Sequence, residues 1–259
     1  MEYALWLSAF AGAGISAGIL SGLFGVGGGT LVVPLLLMLG IPIHHAVGMS
    51  LVYILFASAS GSVKHYRLQN IHFQSVIYMC LAAFCTIFLG VQTGNVLSPR
   101  TLSLLFSGLM LLVLCLFAYR IQLEKKQRTK KEVPPRVRAF IFTGLIAGLF
   151  SSLFGVGGGF IMVPLLVMLT PLTIKQAAGT SLAAIFFISL VGIVQHYFFG
   201  SLAEALASQS VPMVVMSLSG LFGAPAGAWL NQKLPASLLQ KAFMVFLLLI
   251  TVYMAFQGS

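Results

Sequence analysis

Two runs of consecutive glycine carry the chemistry this chain can offer. Phe24-Gly25-Val26-Gly27-Gly28-Gly29, with Pro34 after it, returns 130 residues later as Phe154-Gly155-Val156-Gly157-Gly158-Gly159 with Pro164. Three glycines in a row destabilise an ordinary helix, so copies at equivalent places mark irregular backbone with a use. A glycine run that opens a new apolar segment leaves N–H groups unpaired at a helix N-terminus, with the positive end of the helix dipole facing the gap. Gly27, Gly28, Gly29 and Thr30, and in the second copy Gly157, Gly158, Gly159 and Phe160, are therefore candidate surfaces for a small anion. Pro34 and Pro164 fall about one turn inside the following segments, where they break the helix further.

Hydroxyls and histidines extend the inventory. Ser50, Thr180 and Ser181 each follow a turn at the start of an apolar segment and are candidate donors to the same anion. His65 and His196 hold equivalent places, in Lys64-His65-Tyr66 and Gln195-His196-Tyr197. Histidine titrates near neutral pH, which suits gating or proton coupling; the competing role is a His-Tyr anchor at headgroup level. His44 and His45 are adjacent without a third ligand, so no metal site is expected. Cys80, Cys85 and Cys115 lie in apolar stretches without CxxC spacing and read as packing residues.

The elements that must position these groups are membrane segments. Of the 259 residues, 59% are hydrophobic and 7% charged, far from the roughly one-quarter charged of soluble domains. Each half parses into five apolar segments, 4–24, 30–40, 44–63, 73–93 and 101–119, then 139–154, 160–170, 177–195, 210–230 and 238–256. The pieces after each glycine run are too short to span the hydrocarbon core and read as half-helices or re-entrant segments. The repeat continues through Ala46-x-Gly48-Met49-Ser50 and Ala177-x-Gly179-Thr180-Ser181, and Gly90 and Gly94 align with Gly223 and Gly227. Gly14, Gly18 and Gly22, with Gly144, Gly148 and Ser152, have the spacing of four that close helix packing needs. The expected organisation is a first transmembrane repeat (1–120), a basic loop (121–138) and a second repeat (139–259).

Charge sets the orientation. Eight of the fourteen Lys and Arg lie between Arg120 and Arg138, a cytoplasmic loop by the positive-inside rule. Counting segments outward from it places Lys64, Arg67, Lys175, Lys233 and Lys241 inside, and both termini, the His44-His45 turn and Glu204 outside; only Arg100 dissents. An odd number of crossings per half then makes the two repeats inverted, and their breaks approach one midplane site from opposite faces.

Several classes lose support. The net charge of +10 is concentrated in one loop rather than spread over a nucleic-acid-binding face. The chain has no Asp, and none of its four Glu lies at the centre of an apolar segment, so the intramembrane carboxylates of cation pumps are missing. No P-loop, HExxH or strand-borne glycine fingerprint is present, so neither an enzyme nor a cofactor is expected. The N-terminal segment lacks a basic n-region and reads as a retained helix rather than a signal peptide.

The paired glycine motifs, each followed by proline, and the Ala-x-Gly-x-Ser stretches resemble the TauE/SafE family of bacterial membrane transporters. The resemblance implies an all-α polytopic fold of about eight transmembrane helices in the inner membrane and translocation, as export, of small sulfur-containing anions such as sulfite, sulfoacetate or other organosulfonates. The expected mechanism is alternating access, facilitative or proton-coupled, at a site between Gly27–Thr30 and Gly157–Phe160. An anion channel lined by the same loops and a membrane scaffold are the alternatives. The partners expected are a small anionic substrate and the lipid bilayer, with homodimer formation left open and no nucleic acid.

Overall fold

The computed structural model describes residues 2–126 and 137–258. The described residues form ten helices: α1 (Glu2–Phe24), α2 (Gly29–Met38), α3 (Ile43–Arg67), α4 (Phe73–Val96), α5 (Pro99–Lys126), α6 (Val137–Phe154), α7 (Gly159–Leu169), α8 (Ile174–Phe199), α9 (Leu202–Lys233) and α10 (Ala236–Gly258). Seven are long and apolar enough to cross a membrane; α5 runs 28 residues with its apolar stretch at Pro99–Cys115. With α5 the long helices number eight, and α2 and α7, of 10 and 11 residues, are the two short pieces after the glycine runs. At 1.5 Å per residue such pieces reach about half of a roughly 30 Å hydrocarbon core.

Local chemistry sets the ends. Pro42 precedes α3, His72 accepts the Ser75 N–H at the start of α4, and Thr173 with Gln176 forms a capping box on α8. The chain reverses after α3 through Gln69, at φ 55°. The sequence reading left residues 196–209 without a membrane segment of their own. In the structure α8 runs on to Phe199 and α9 opens with a helical stretch from Leu202, bent at Gln209 (φ −131°, ψ 27°). Pro212 explains the bend, because it has no N–H for the Ser208 carbonyl. Likewise α5 continues helically through Lys126, so the expected basic loop begins later than residue 121; its part from 127 to 136 lies outside the described residues.

Helix pairs interleave the two halves. α1 packs along α9 and α6 along α4; α3 lies against α8 and α9, and α4 also against α8. Exchanging the halves, α1 for α6, α3 for α8 and α4 for α9, maps these pairings onto themselves. The seams are built on small residues: β-carbons on Gly14, Gly18 and Gly22 would lie 2.4, 2.8 and 1.9 Å from the carbonyl oxygens of Met216, Gly220 and Ala224. On the partner seam, β-carbons on Gly144 and Gly148 would lie 2.3 and 2.5 Å from the carbonyls of Met79 and Ala83. Lipid gives no hydrophobic force between helices, so close packing of this kind carries the association.

One alignment read from sequence is corrected. A β-carbon on Gly90 would meet Leu149 O at 2.4 Å and Leu153 N at 3.2 Å, while one on Gly227 would meet Ile19 O at 1.9 Å and Leu23 N at 2.8 Å. Ile19 and Leu23 correspond to Leu149 and Leu153, so Gly90 is the counterpart of Gly227 rather than of Gly223. A ladder with a spacing of four looks the same after a slip of one turn.

α3 and α8 run antiparallel at the centre. A β-carbon on Gly61 would sit 2.5 Å from Leu182 Cδ2, and one on Gly192 would sit 3.4 Å from Leu51 Cδ1. The ends of the bundle differ in charge. At one end Asn70 Nδ2 donates to Gln232 Oε1 (3.3 Å), Lys175 Nζ donates to Gln232 O (2.8 Å) and Lys233 lies 3.9 Å over the Trp229 ring. At the other, His45 Nε2 faces Glu204 Oε2 at 3.4 Å, beside a recess of about 360 Å³ lined also by Pro42, His44 and Asn95.

Candidate functional site

Each glycine run folds into the same left-handed turn. Gly25, Gly27 and Gly28 have φ of 74°, 76° and 80°, and Gly155, Gly157 and Gly158 of 65°, 75° and 69°. Backbone at these angles strains any residue with a β-carbon, which explains why the motif repeats to the residue. The turn carries the chain back along the helix it has just left: a β-carbon on Gly28 would lie 3.1 Å from Ala17 O, and one on Gly158 2.8 Å from Ala147 O.

The new helices start at the turns. Gly28 O accepts the N–H groups of Leu31 and Val32, both at 3.0 Å, and Gly158 O accepts those of Ile161 and Met162 at 3.1 and 2.9 Å. Gly29, Thr30, Gly159 and Phe160 thus precede the first intrahelical bonds, at the positive ends of α2 and α7. Pro34 and Pro164 lie inside these helices and cannot donate to the carbonyls of Thr30 and Phe160.

The two turns touch. A β-carbon on Gly29 would lie 2.8 Å from both Gly155 O and Val156 Cα, and one on Gly159 would lie 2.6 Å from Gly25 O and 2.5 Å from Val26 Cα. Ser50 Oγ donates to the carbonyl of Gly155, and Ser181 Oγ donates to that of Gly25 at 2.7 Å. Each serine therefore holds the turn of the opposite half. Ile54 and Ile185, one helical turn beyond these serines, fill the space between Gly27 and Gly157 and are fully buried.

The other sequence-derived candidates lie away from this contact. Thr180 Oγ1 accepts the backbone N–H of His72 at 3.0 Å, at the start of α4. His65 Nε2 donates to Gly22 O at 2.9 Å and His196 Nε2 to Ser152 O at 2.8 Å, so both rings carry their proton on Nε2. Both imidazoles are buried while Tyr66 and Tyr197 are exposed, which corrects the His-Tyr anchor: only the tyrosine is on the surface. Cys80 is buried, but Cys85 and Cys115 are exposed rather than packed inside.

Sequence reasoning missed Ile54 and Ile185. They share the 131-residue offset of Ser50 and Ser181, four residues on, so extending the repeat by one turn finds them. Thr30 Oγ1 is fully buried without a hydrogen-bond partner.

Comparison with known proteins agrees with this architecture. Residues 10–254 match the model of the family described as sulfite exporter TauE/SafE. Probable membrane transporter protein YdhB of Bacillus subtilis is 32% identical over 231 residues, covering 87% of this chain and 90% of the relative. A probable membrane transporter protein of Methanocaldococcus jannaschii is 28% identical over 245 residues, covering 90% and 89%, and one of Haemophilus influenzae is 28% identical over 266 residues, covering 93% and 95%. No solved structure matches the chain. A helical bundle built around two touching glycine turns, matched to this family over nearly its whole length, is a membrane transporter of the TauE/SafE family.

Proposed function

We propose that the chain exports small sulfur-containing oxyanions, sulfite, sulfoacetate or other organosulfonates, across a bacterial inner membrane by alternating access of two inverted repeats. The observation that carries this reading is the contact of the two glycine turns beside the antiparallel α3 and α8. Equivalent helices that run in opposite directions bring the positive ends of α2 and α7 to one place. An anion held there needs no buried Lys or Arg, and Glu204, which faces His45, lies at the bundle end away from it. The cycle is binding and release without a covalent step, so no catalytic residue is assigned.

The substrate class comes from the family resemblance and the donor set. Sulfite and sulfonates present three acceptor oxygens and negative charge, which backbone amides and hydroxyls satisfy with charge-assisted hydrogen bonds. The end that carries Lys64, Arg67, Lys175 and Lys233 is assigned to the cytoplasm and both termini to the outside. The buried isoleucine pair between the turns supports a carrier, whose site is closed between exposures, over a continuous pore.

Purified protein in liposomes tests the reading. Sulfite or sulfoacetate flux is expected to saturate, with sulfate as the control, and to fall to background in Gly28→Leu and Gly158→Leu. Absence of flux for every sulfur oxyanion overturns it, as does wild-type flux in both glycine variants; an ohmic current favours the channel.

A further inference from the structure

The two breaks share a backbone but differ in side chains. Thr30, the second residue of α2, corresponds to Phe160 in α7, and Tyr53 of α3 corresponds to Ala184 of α8 by the offset that pairs Ser50 with Ser181. Ser217 of α9 corresponds to Cys80 of α4, because Met216 and Met79, one residue before each, meet Gly14 and Gly144 in the same way. The first break is thus lined by hydroxyls where the second has a phenyl ring, a methyl and a thiol. The Cys80 Sγ is itself directed to Ala184 O at 3.7 Å.

Three of the first break's hydroxyls are idle. Ser21, Thr30 and Ser217 are buried to at least 98%, and their oxygens have no hydrogen-bond partner. Other buried hydroxyls in this bundle bond back to their own helix, as Thr143 to Ala139 O at 2.8 Å, Ser107 to Ser103 O at 2.9 Å and Thr251 to Leu247 O at 2.8 Å, or across the halves, as Ser50 and Ser181 do. Ser62 and Ser151 are the further unpaired ones among the described residues. Leaving a buried hydroxyl unpaired is unfavourable, so three around one helix start point to a missing acceptor.

Their placement fits a ligand at the start of α2. Ser21 Cβ lies 3.3 Å from where a β-carbon on Gly28 would stand, and Tyr53 Cε1 lies 2.8 Å from the same point. Helical side chains tilt toward the N-terminus, which puts Thr30 on the break side of α2. The Tyr53 ring passes Gly220 of α9, whose β-carbon position is 2.4 Å from its Cε2. Ser217 is one turn before Gly220 on the same face. The second break has one comparable idle hydroxyl, Ser151, the counterpart of Ser21.

We infer that the carrier binds one anion per chain at the first break alone, with Ser21, Thr30 and Ser217 donating to the oxygens of a compact oxyanion at the start of α2, while the second break is its structural mate. This rests on the transport reading above. The half that binds is then fixed by side chains and the half that seals it by backbone symmetry.

Radiolabelled sulfite binding to the full chain in detergent, with unlabelled sulfoacetate and taurine as competitors, tests it. Thr30→Val, Ser21→Ala and Ser217→Ala are each expected to weaken binding about tenfold or more, the loss of one hydrogen bond to a charged group. Thr30→Ser retains affinity, and Ser151→Ala and Cys80→Ser change it less than twofold. Because these hydroxyls are idle without the anion, the same three variants melt at the wild-type temperature or above it in the absence of sulfite, whereas a merely structural role lowers melting temperature. Two ions per chain, or equal weakening by Ser21→Ala and Ser151→Ala, overturns the one-sided site and leaves the carrier standing. No binding of any of the three by the wild-type chain overturns both.

Discussion

Ser181 of α8 donates its hydroxyl to the carbonyl of Gly25 at 2.7 Å, across 156 residues of sequence. Ser50 of α3 repeats the bond on Gly155. The residues that precede each new helix are therefore fixed by the other half of the molecule, so neither glycine turn can move without disturbing a hydrogen bond to its partner repeat. In a transporter this couples the two breaks directly.

Removing that bond leaves a buried carbonyl short of a donor. Ser50→Ala and Ser181→Ala are each expected to cost about 1–3 kcal/mol of stability, read as a lower melting temperature in detergent. Ser16→Ala is the control, since its hydroxyl is exposed and bonds only to Ala13 O of its own helix; a change within about 0.5 kcal/mol is expected there. Indistinguishable melting of all three proteins would remove the clamp from the account.

The helix seams make a second prediction. With a β-carbon 1.9 Å from Ala224 O in Gly22→Ala, and 1.9 Å from Ile19 O in Gly227→Ala, backbone must move apart in both, and yield of folded protein should collapse. Gly12 and Gly108 have nothing within 4 Å of a β-carbon, and at these helical sites alanine should be neutral or stabilising by roughly 0.5–1 kcal/mol. Size-exclusion profiles of the four variants check this; a monodisperse Gly227→Ala would contradict the seam.

The same seams show what could be read in advance. Duplication, the broken segments and the charge difference between the bundle ends were legible, because positive φ demands glycine and because charged side chains avoid lipid. The exchange of α1 onto α9 was not, since small-residue ladders encode closeness without naming a partner. They also slide by a turn, which is how Gly90 was matched to Gly223 instead of Gly227. Ser50 and Ser181 read in the sequence as donors to an anion, whereas in the structure they donate to the carbonyls of Gly155 and Gly25; a hydroxyl in a sequence does not say whether it serves a ligand or a carbonyl. The idle oxygens of Thr30 and Ser217 become visible only once the partners of the neighbouring groups are placed in three dimensions.

Orientation is checked by labelling. Glu204 is exposed at one end of the bundle, with its side chain 79% accessible, and Arg67 is exposed at the other. In a cysteine-free background, Glu204→Cys should react with a membrane-impermeant maleimide in intact cells, and Arg67→Cys only in inverted vesicles. The reverse pattern would turn the assignment over and with it the reading of the basic segment.

The isoleucine pair carries the last prediction. Ile185 Cγ2 lies 3.0 and 3.1 Å, and Ile54 Cγ2 3.2 and 3.2 Å, from β-carbon positions on Gly27 and Gly157, so two side chains from antiparallel helices contact both breaks at once. If they form the seal of a carrier, shortening them should let anion pass without a full cycle. Val at both positions should give a small leak and Ala at both a larger one, seen in liposomes as flux that no longer saturates with substrate. Truncation also weakens packing, by about 0.5–1.5 kcal/mol for each Val and about 2–5 for each Ala, so lower stability alone decides nothing. Saturation is the discriminating measurement: a destabilised but sealed carrier moves fewer ions along the same hyperbola, whereas an unsealed one adds a linear component that grows from Val to Ala. A double Ala variant with purely saturable flux would show that the pair is packing and that the barrier lies elsewhere.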